Sequence, residues 1–285
     1  MVRTPAVAGQ FYEANERNLV RSIEKSFLGR LGPGKLPDAP NERLGHVLGL
    51  VCPHAGHVYS GSAAAWAYGA LASDGIPEIA VLLGPNHYGL GEGAAVSPDE
   101  TWATPLGELQ VDVETAQAIL NSSKYAKPDE LAHAREHSIE VQLPFLQYIG
   151  GRKAKIVPIS IAHLAKADAL LLAEDLGSAS AEALSGKSAV VIASTDFTHY
   201  ESKARATELD SLAMHRILDL DPKGLIELVY SRDITMCGAV GTAVMLHACL
   251  KLGATSARKL TYYTSGDVTG DTDQVVGYGA LSIER

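Results

Sequence analysis

The chain has few cysteines, little positive charge and no long apolar run. Its 285 residues include three cysteines, Cys52, Cys237 and Cys249. They are too few and too far apart for a disulfide framework, and the odd number leaves at least one free thiol, so we expect a reducing compartment. The formal net charge of -9 argues against nucleic acid as a partner, because proteins that bind phosphate backbones carry a basic surface.

Membrane-directed segments and the common short catalytic motifs are also missing. No stretch of the sequence approaches the roughly 18 apolar residues of a membrane span. Residues 1–10 contain no apolar signal segment, so we expect a cytoplasmic protein without a membrane partner. The sequence contains no nucleophile elbow, P-loop, HExxH motif or GxGxxG after a strand, so none of these motifs assigns a function.

The sequence does contain a regular alternation of strand and helix patterns. Buried strands are predicted at about residues 46–52, 79–83, 156–161, 190–193, 260–264 and 275–283, and helices at about 15–28, 61–72, 166–176, 203–218, 222–230 and 238–252. The breaker-rich residues 32–40 form a loop too short to separate two domains. We therefore expect a single α/β domain over residues 1–285, with a mostly parallel central sheet covered by helices on both faces.

Two segments are less regular. Residues 94–112 are rich in turn-forming residues and predict a loop or hairpin, after which Asp112 is expected to cap a helix running to about Asn121. Residues 136–149 carry apolar side chains at helical spacing. We expect Pro144 to kink or interrupt that helix, because proline lacks the backbone N–H that a helix interior requires.

Three of the strand patterns end in a histidine. His54 follows the first central strand, His87 ends residues 81–87, and His199 ends residues 190–199. Open α/β sheets bind their ligands at the carboxyl edge, and neighbouring strands lie only about 5 Å apart, so His54 and His87 should meet there. His57 lies three residues after His54 and is expected to be an exposed turn residue.

Other polar residues cluster near these strand ends. Asp196 and His199 would share a face if they lay in a helical turn, and the carboxylate would then fix the tautomer of an acid/base histidine. The alternative is that Asp196 caps the following helix. In residues 136–140 the two glutamates fit a charged first helical turn, whereas His137 is a candidate for a hydrogen bond that supports a metal ligand.

Cys237 precedes a helix that contains glycine. The helix dipole and its backbone N–H groups are expected to stabilise a thiolate there. A thiolate and two imidazoles would form a three-ligand metal site with positions open to water or substrate. Cys52 and Cys249 lie within apolar patterns and are interpreted as small core residues.

These motifs resemble those of the Memo family over nearly the full length of the chain. The resemblance is carried by residues 8–12 (AGQFY), 53–56 (PHAG), 59–61 (YSG), 83–87 (LGPNH), 136–140 (EHSIE), 194–199 (STDFTH) and 237–238 (CG). The family is similar in fold to the class III, LigB-type extradiol dioxygenases, whose non-haem iron is held by two histidines and a glutamate, with another histidine as acid/base. The resemblance therefore implies a LigB-type, dioxygenase-like fold.

The resemblance also implies roles for individual residues. It places His54 and His87 as metal ligands, Cys237 at the third ligand position, and His199 at the acid/base position with Asp196 beside it. The resemblance makes iron(II) the leading metal; cysteine in place of glutamate makes the site softer, which favours copper as the alternative, and zinc is less favoured. Ring-cleaving activity does not follow from this altered ligand set.

Three functions are compatible with these residues. The first is redox or dioxygenase-like chemistry on an unknown small molecule. The second is a non-catalytic module that binds a peptide or another partner in a vestigial dioxygenase-like cleft. The third is a zinc hydrolase in which metal-bound water is the nucleophile. The resemblance further implies an association with radical-SAM and AMMECR-type proteins.

Overall fold

The structure is a computed structural model that describes residues 1–151 and 153–285. Strands β1 to β12 span Val2–Arg3, Val47–Cys52, Ile79–Pro85, Ala94–Val96, Thr101–Thr104, Gly107–Gln110, Ala126–Pro128, Lys155–Ile161, Ala189–Ser194, His199–Glu201, Ser256–Thr264 and Val275–Glu284. Helices α1 to α9 span Glu16–Leu28, His57–Asp74, Val113–Ser122, Leu143–Gly150, Lys166–Leu184, Lys203–Leu218, Pro222–Ser231, Ala239–Lys251 and Gly266–Thr269. A 3-10 turn at Glu140–Gln142 leads into α4.

The central sheet is parallel in its middle and antiparallel towards both sides. Strands β2, β9, β3 and β8 are neighbours in that order and run parallel. Strand β12 pairs antiparallel with β2, β10 and β11, and β4 pairs antiparallel with β8 and parallel with β7. The predicted α/β class is confirmed, with the parallel pairing concentrated in the strands that carry the site. Strands β1, β5 and β6 form a small separate sheet.

Helices cover both faces of the central sheet, as predicted. The middle strands are apolar and buried along their whole length, and successive side chains of a strand point to opposite faces. Leu50 and Cys52 therefore join a core with α1, α2 and α4, while Val51 joins a second core with α5 and α8. Cys52 and Cys249 are both fully buried, which confirms their assignment to the core.

Helix α2 begins four residues earlier than the sequence predicted. It starts at His57, directly after the short turn that follows β2. His57 is only 5% exposed; its Nε2 lies 3.2 Å from the carbonyl oxygen of Val141, and its ring packs against Phe145. The prediction of an exposed turn residue was wrong, because α4 packs over this end of α2.

Of the two less regular segments, residues 94–121 fold as predicted and residues 136–149 do not. Strands β5 and β6 form the expected hairpin, and the carboxylate of Asp112 caps α3 by accepting from the N–H of Thr115. Residues 136–139, in contrast, lie outside any helix. Helix α4 begins only at Leu143, so Pro144 occupies its first turn, where a missing N–H costs nothing and no kink results. Among the described residues, no helix combines the length and apolar character needed to cross a membrane.

Candidate metal centre

The candidate site lies at the carboxyl edge of the parallel strands. His54 is two residues beyond β2, His87 two residues beyond β3, and Asp196 two residues beyond β9. Because these strands are hydrogen-bonded neighbours in the order β2, β9, β3, their ends meet at one place. The loop that contains His137 and the segment before α8 that contains Cys237 complete the site.

Three histidines form a group that could hold a metal ion. One ring nitrogen from each of His54, His87 and His137 lies within 4.8 Å of the others. The rings of His87 and His137 are stacked, with centroids 4.6 Å apart and planes 19° apart. The ring of His54 meets both edge-on, at centroid distances of 5.2 and 5.5 Å. This spacing allows three nitrogens to converge on one ion.

The tautomer of His54 follows from the hydrogen bonds of Ser194. The hydroxyl of Ser194 donates to the carbonyl oxygen of Ser138 at 2.6 Å and accepts from Nε2 of Gln142 at 2.7 Å. Its single proton is thereby used, so its contact with Nδ1 of His54 at 3.0 Å requires the imidazole to be the donor. His54 therefore carries its proton on Nδ1, and the lone pair of Nε2 is free to bind a metal.

Glu136 holds the other two histidines. Its Oε1 accepts from Nδ1 of His87 at 2.9 Å and lies 3.3 Å from Nδ1 of His137, and the same carboxylate accepts the backbone N–H groups of His87, His137 and Ser138. A carboxylate on Nδ1 fixes the ring and makes Nε2 a stronger ligand. Burial opposes ionisation of Glu136, but the hydrogen bond from His87 and the neighbouring donors outweigh it and lower its pKa to about 2.

Glu136 does not have the role that the sequence predicted, and the supporting role of His137 stays a prediction. No helix begins at Glu136, so the interpretation as a charged first helical turn was wrong. His137 was expected only to support a ligand, whereas its ring lies with those of His54 and His87. Burial lowers the pKa of His137 to about 4, against the opposing charge of Glu136, and also lowers that of His54. Both imidazoles are therefore neutral near pH 7, the state in which they bind metals.

Cys237 lies beside the three histidines. Its Sγ is 3.4 Å from Nε2 of His54 and accepts the N–H of Asp196 at 3.3 Å. Burial, followed by the charge of Asp196, raises the pKa of the thiol to about 12. The expected thiolate at the start of α8 was therefore wrong for the metal-free protein, because desolvation and a nearby carboxylate outweigh the helix dipole. A metal that binds this sulfur must displace its proton.

Asp196 and His199 are arranged differently from the helical turn that was expected. Residues 195–198 connect β9 to β10 without forming a helix, and Ser202, not Asp196, caps α6. The carboxylate of Asp196 accepts the N–H of His54 at 2.8 Å. Burial raises the pKa of Asp196 against the lowering effect of this hydrogen bond.

The ring of His199 is oriented by a backbone carbonyl. Nδ1 of the ring lies 2.8 Å from the carbonyl oxygen of Thr235, and the backbone N–H of His199 donates to the hydroxyl of Thr235. A carbonyl oxygen only accepts, so Nδ1 carries the proton and Nε2 is left as a proton acceptor. The ring is half-buried. This is a suitable state for a general base, reached through Thr235 rather than through Asp196.

Sequence reasoning did not identify Glu136, Ser194 or Gln142 as parts of the site. Ser194 directly follows a predicted strand and stands two residues before Asp196, which is a signal that could have found it. Gln142 gives no such signal, because its side chain reaches the site from a 3-10 turn that the sequence pattern did not predict.

Comparison with known proteins gives a consistent family. A sequence profile of the family described as Memo-like protein matches residues 3–282. The chain is 45% identical to a MEMO1 family protein from Methanopyrus kandleri, with both chains aligned over their full length. It is 44% identical to one from Ignicoccus hospitalis, over 99% of this chain and 98% of that protein, and 41% identical to one from Nitrosopumilus maritimus, over 99% of each. The chain therefore belongs to the Memo-like protein family.

Proposed function

We propose that this Memo-family protein binds one redox-active transition-metal ion at the strand-end site and acts on a small organic molecule. The observation that carries the proposal is the group of three imidazoles whose ring nitrogens converge while their Nδ1 atoms face protein oxygens. Such an arrangement pre-orients metal ligands. His54 and His87 are the two proposed ligands. The third proposed ligand is Cys237 or, alternatively, His137.

The proposed metal is iron(II), with copper as the second choice. The oxygens of Glu136 are occupied by hydrogen bonds from His87, His137 and Ser138, so this carboxylate is a support and not a ligand. What remains is three nitrogens and one sulfur, a set that suits iron, copper or zinc better than magnesium or calcium. Zinc ranks third, because the proposed chemistry requires a metal that changes oxidation state.

The residues around the ion have separate proposed tasks. The bound metal would supply redox chemistry to the substrate. His199 would accept or return a proton at Nε2, since Thr235 holds its Nδ1–H. Asp196 would hold the turn that carries His54 through the backbone N–H of that residue. Glu136 and Ser194 would keep the rings of His87 and His54 in place.

Metal titration under anaerobic conditions tests the proposal. The protein should bind one iron(II) per chain, and His54→Ala or His87→Ala should weaken binding by more than about 100-fold, the upper range for losing a supporting contact alone. The matched control is His215→Ala, which removes an exposed histidine of α6 and should leave binding unchanged. Equal iron binding by His54→Ala, His87→Ala and the control would overturn the proposal.

Cobalt(II) substitution distinguishes the roles of Cys237 and His137. If the thiolate is a ligand, the cobalt protein shows a sulfur-to-metal charge-transfer band in the near ultraviolet, and Cys237→Ser abolishes it while His137→Gln does not. If the three histidines form the ligand set alone, the band is absent in the wild-type protein, and His137→Gln is the variant that weakens cobalt binding. In both cases His54 and His87 remain ligands.

A further inference from the structure

A deep cleft opens beside the metal centre and is not needed to hold the ion. Its volume is about 520 Å³. It lies between the ends of β3 and β8 on one side and the segment joining α7 to α8 on the other. His163, Asp233, Ile234, Met236, Ala239 and Val240 are among the residues that line it. His87 and Cys237, which belong to the proposed metal site, also line the cleft and so connect the two.

The charged side chains that line the cleft are acidic and not basic. Among its lining residues as the structure describes them there is no lysine or arginine, and Asp233 is the one carboxylate. A second cleft of about 580 Å³, at α1, is lined by Arg21, Lys25 and Arg30 together with the acidic residues Glu13 and Asp267. The protein therefore has cationic side chains available for an anionic ligand, but they do not line the cleft at the metal centre.

The polarity of the cleft changes from its floor to its rim. Ile234, Met236 and Ala239 are buried and give an apolar floor near the metal centre, whereas His163 and Asp233 are exposed and form the rim. Asp233 has a φ of 49°, a left-handed conformation that aspartate tolerates better than most residues. This conformation lets the chain turn sharply after α7 and leaves the carboxylate at the mouth.

We propose that this cleft binds the substrate of the proposed metal site, and that the substrate has an apolar body and a cationic amine at its outer end. The apolar body would displace water from the floor beside Cys237, and the amine would pair with Asp233 at the rim. In the metal-free protein, anionic molecules of the same shape are disfavoured because no lysine or arginine lines the cleft to pair with them. The inference rests on the proposed function in one respect: the ligand of the cleft is a substrate only if the metal site is active.

Two naphthalene compounds of similar shape and opposite charge test the charge preference. 1-Naphthylmethylamine is a cation near neutral pH, and 1-naphthoate is an anion. Isothermal titration of the metal-free protein should show that the amine binds about two- to fivefold more tightly than the carboxylate, the effect of one exposed charge. Asp233→Asn should remove this preference, since asparagine also tolerates the left-handed backbone. Equal binding of the two compounds by the wild-type protein would overturn the inference.

Filling the cleft tests its location. Val240→Phe places a larger side chain in the cleft wall from α8, where it would occupy space that the ligand needs. It should raise the Kd for 1-naphthylmethylamine by about tenfold or more. The matched control is Val113→Phe at the exposed start of α3. Should Val240→Phe fail to fold, Ala162→Phe fills the same cleft from the end of β8. Unchanged binding by a folded cleft variant would place the probe elsewhere and contradict the inference.

Metal content separates this inference from the proposed function. The folded cleft variants should retain the iron content of the wild-type protein, because the apolar side chains of Val240 and Ala162 offer no atom that could bind the ion. If the amine binds in the cleft but the wild-type protein holds no metal, the proposed function fails and the binding site stands. If iron binds normally but the cleft variants bind the amine as the wild type does, the site inference fails alone.

Discussion

At the scale of single residues, hydrogen bonds to the Nδ1 atoms of the histidines determine the orientation of the proposed ligands. Ser194 has one proton, which it gives to Ser138, and it accepts from both Gln142 and His54. This arrangement decides which nitrogen of His54 is free. A serine hydroxyl thereby orients the ring of His54 as the carboxylate of Glu136 orients that of His87, so two different groups hold two neighbouring proposed ligands.

Ser194→Ala tests this role. The substitution removes the acceptor for Nδ1–H of His54 and leaves a buried donor of Gln142 unpaired, so we expect iron(II) affinity to fall by about 10–100-fold and the free energy of unfolding to fall by about 1–3 kcal/mol. The measurements are a chelator competition titration and urea unfolding. The control is Ser180→Ala, because the hydroxyl of Ser180 is buried and has no hydrogen-bond partner among the described residues; its removal should change neither quantity by much. Wild-type metal affinity in Ser194→Ala would contradict the role.

At the scale of elements, the start of α8 and the end of β9 are packed without space between them. A Cβ on Gly238 would collide with the carbonyl oxygen of Ser194 and with the side chain of Thr195. The N–H of Gly238 also donates to the hydroxyl of Thr195 at 2.9 Å. Only glycine lets the segment that leads from Cys237 into α8 approach the strand that carries Ser194, so this contact sets the position of the sulfur beside His54.

Gly238→Ala should therefore affect stability and metal binding together. The added methyl must push α8 away from β9, at a cost of about 1–3 kcal/mol, and it should move Cys237 away from His54 and lower metal affinity. The matched control is Gly93→Ala, where the added Cβ would meet only Leu164 at 3.9 Å, an ordinary contact. Thermal unfolding and metal titration provide the two measurements. A Gly238→Ala protein as stable as Gly93→Ala would show that the two elements can separate freely.

The sequence predicted the regular elements and the strand-end histidines, but not the connections between them. Strands such as β2 and helices such as α6 have apolar patterns with a clear period, so their positions were found within a few residues. Residues 136–139 and 195–198 have no such period. Their conformations depend on buried contacts of Glu136 and Asp196 with backbone groups distant in sequence, and no local pattern encodes those contacts. The position of the His137 ring beside those of His54 and His87 could not be predicted for the same reason.

At the scale of the whole molecule, the fold keeps several histidines neutral by burial. Apart from the metal centre, burial lowers the pKa of His57 and of His133 to about 4 each, despite hydrogen bonds to the carbonyl oxygens of Val141 and Ala95. In the unfolded chain these groups take up a proton near pH 6.5. Between pH 6.5 and 4 the unfolded state thus binds more protons than the folded state, and acid should destabilise the fold.

The pH dependence of unfolding tests this expectation. Each of the two histidines should contribute a loss of roughly 3 kcal/mol between pH 6.5 and 4, calculated from the difference between its folded and unfolded pKa. His57→Gln keeps a donor for Val141 but cannot titrate, so its stability should fall less steeply with acid than that of the wild type. His215→Gln, an exposed control, should keep the wild-type slope. Identical slopes for His57→Gln and the wild type in urea unfolding would contradict the neutral, buried state of His57.

The central claim is that the carboxyl edge of β2, β9 and β3 holds one metal ion. The most direct measurement is X-ray diffraction at the iron absorption edge from crystals grown anaerobically with iron(II). We expect one anomalous peak per chain, within bonding distance of Nε2 of His54 and His87 and between the ring of His137 and the sulfur of Cys237. An iron peak bound only to surface carboxylates, or no peak at the strand ends of a well-ordered crystal, would contradict the claim.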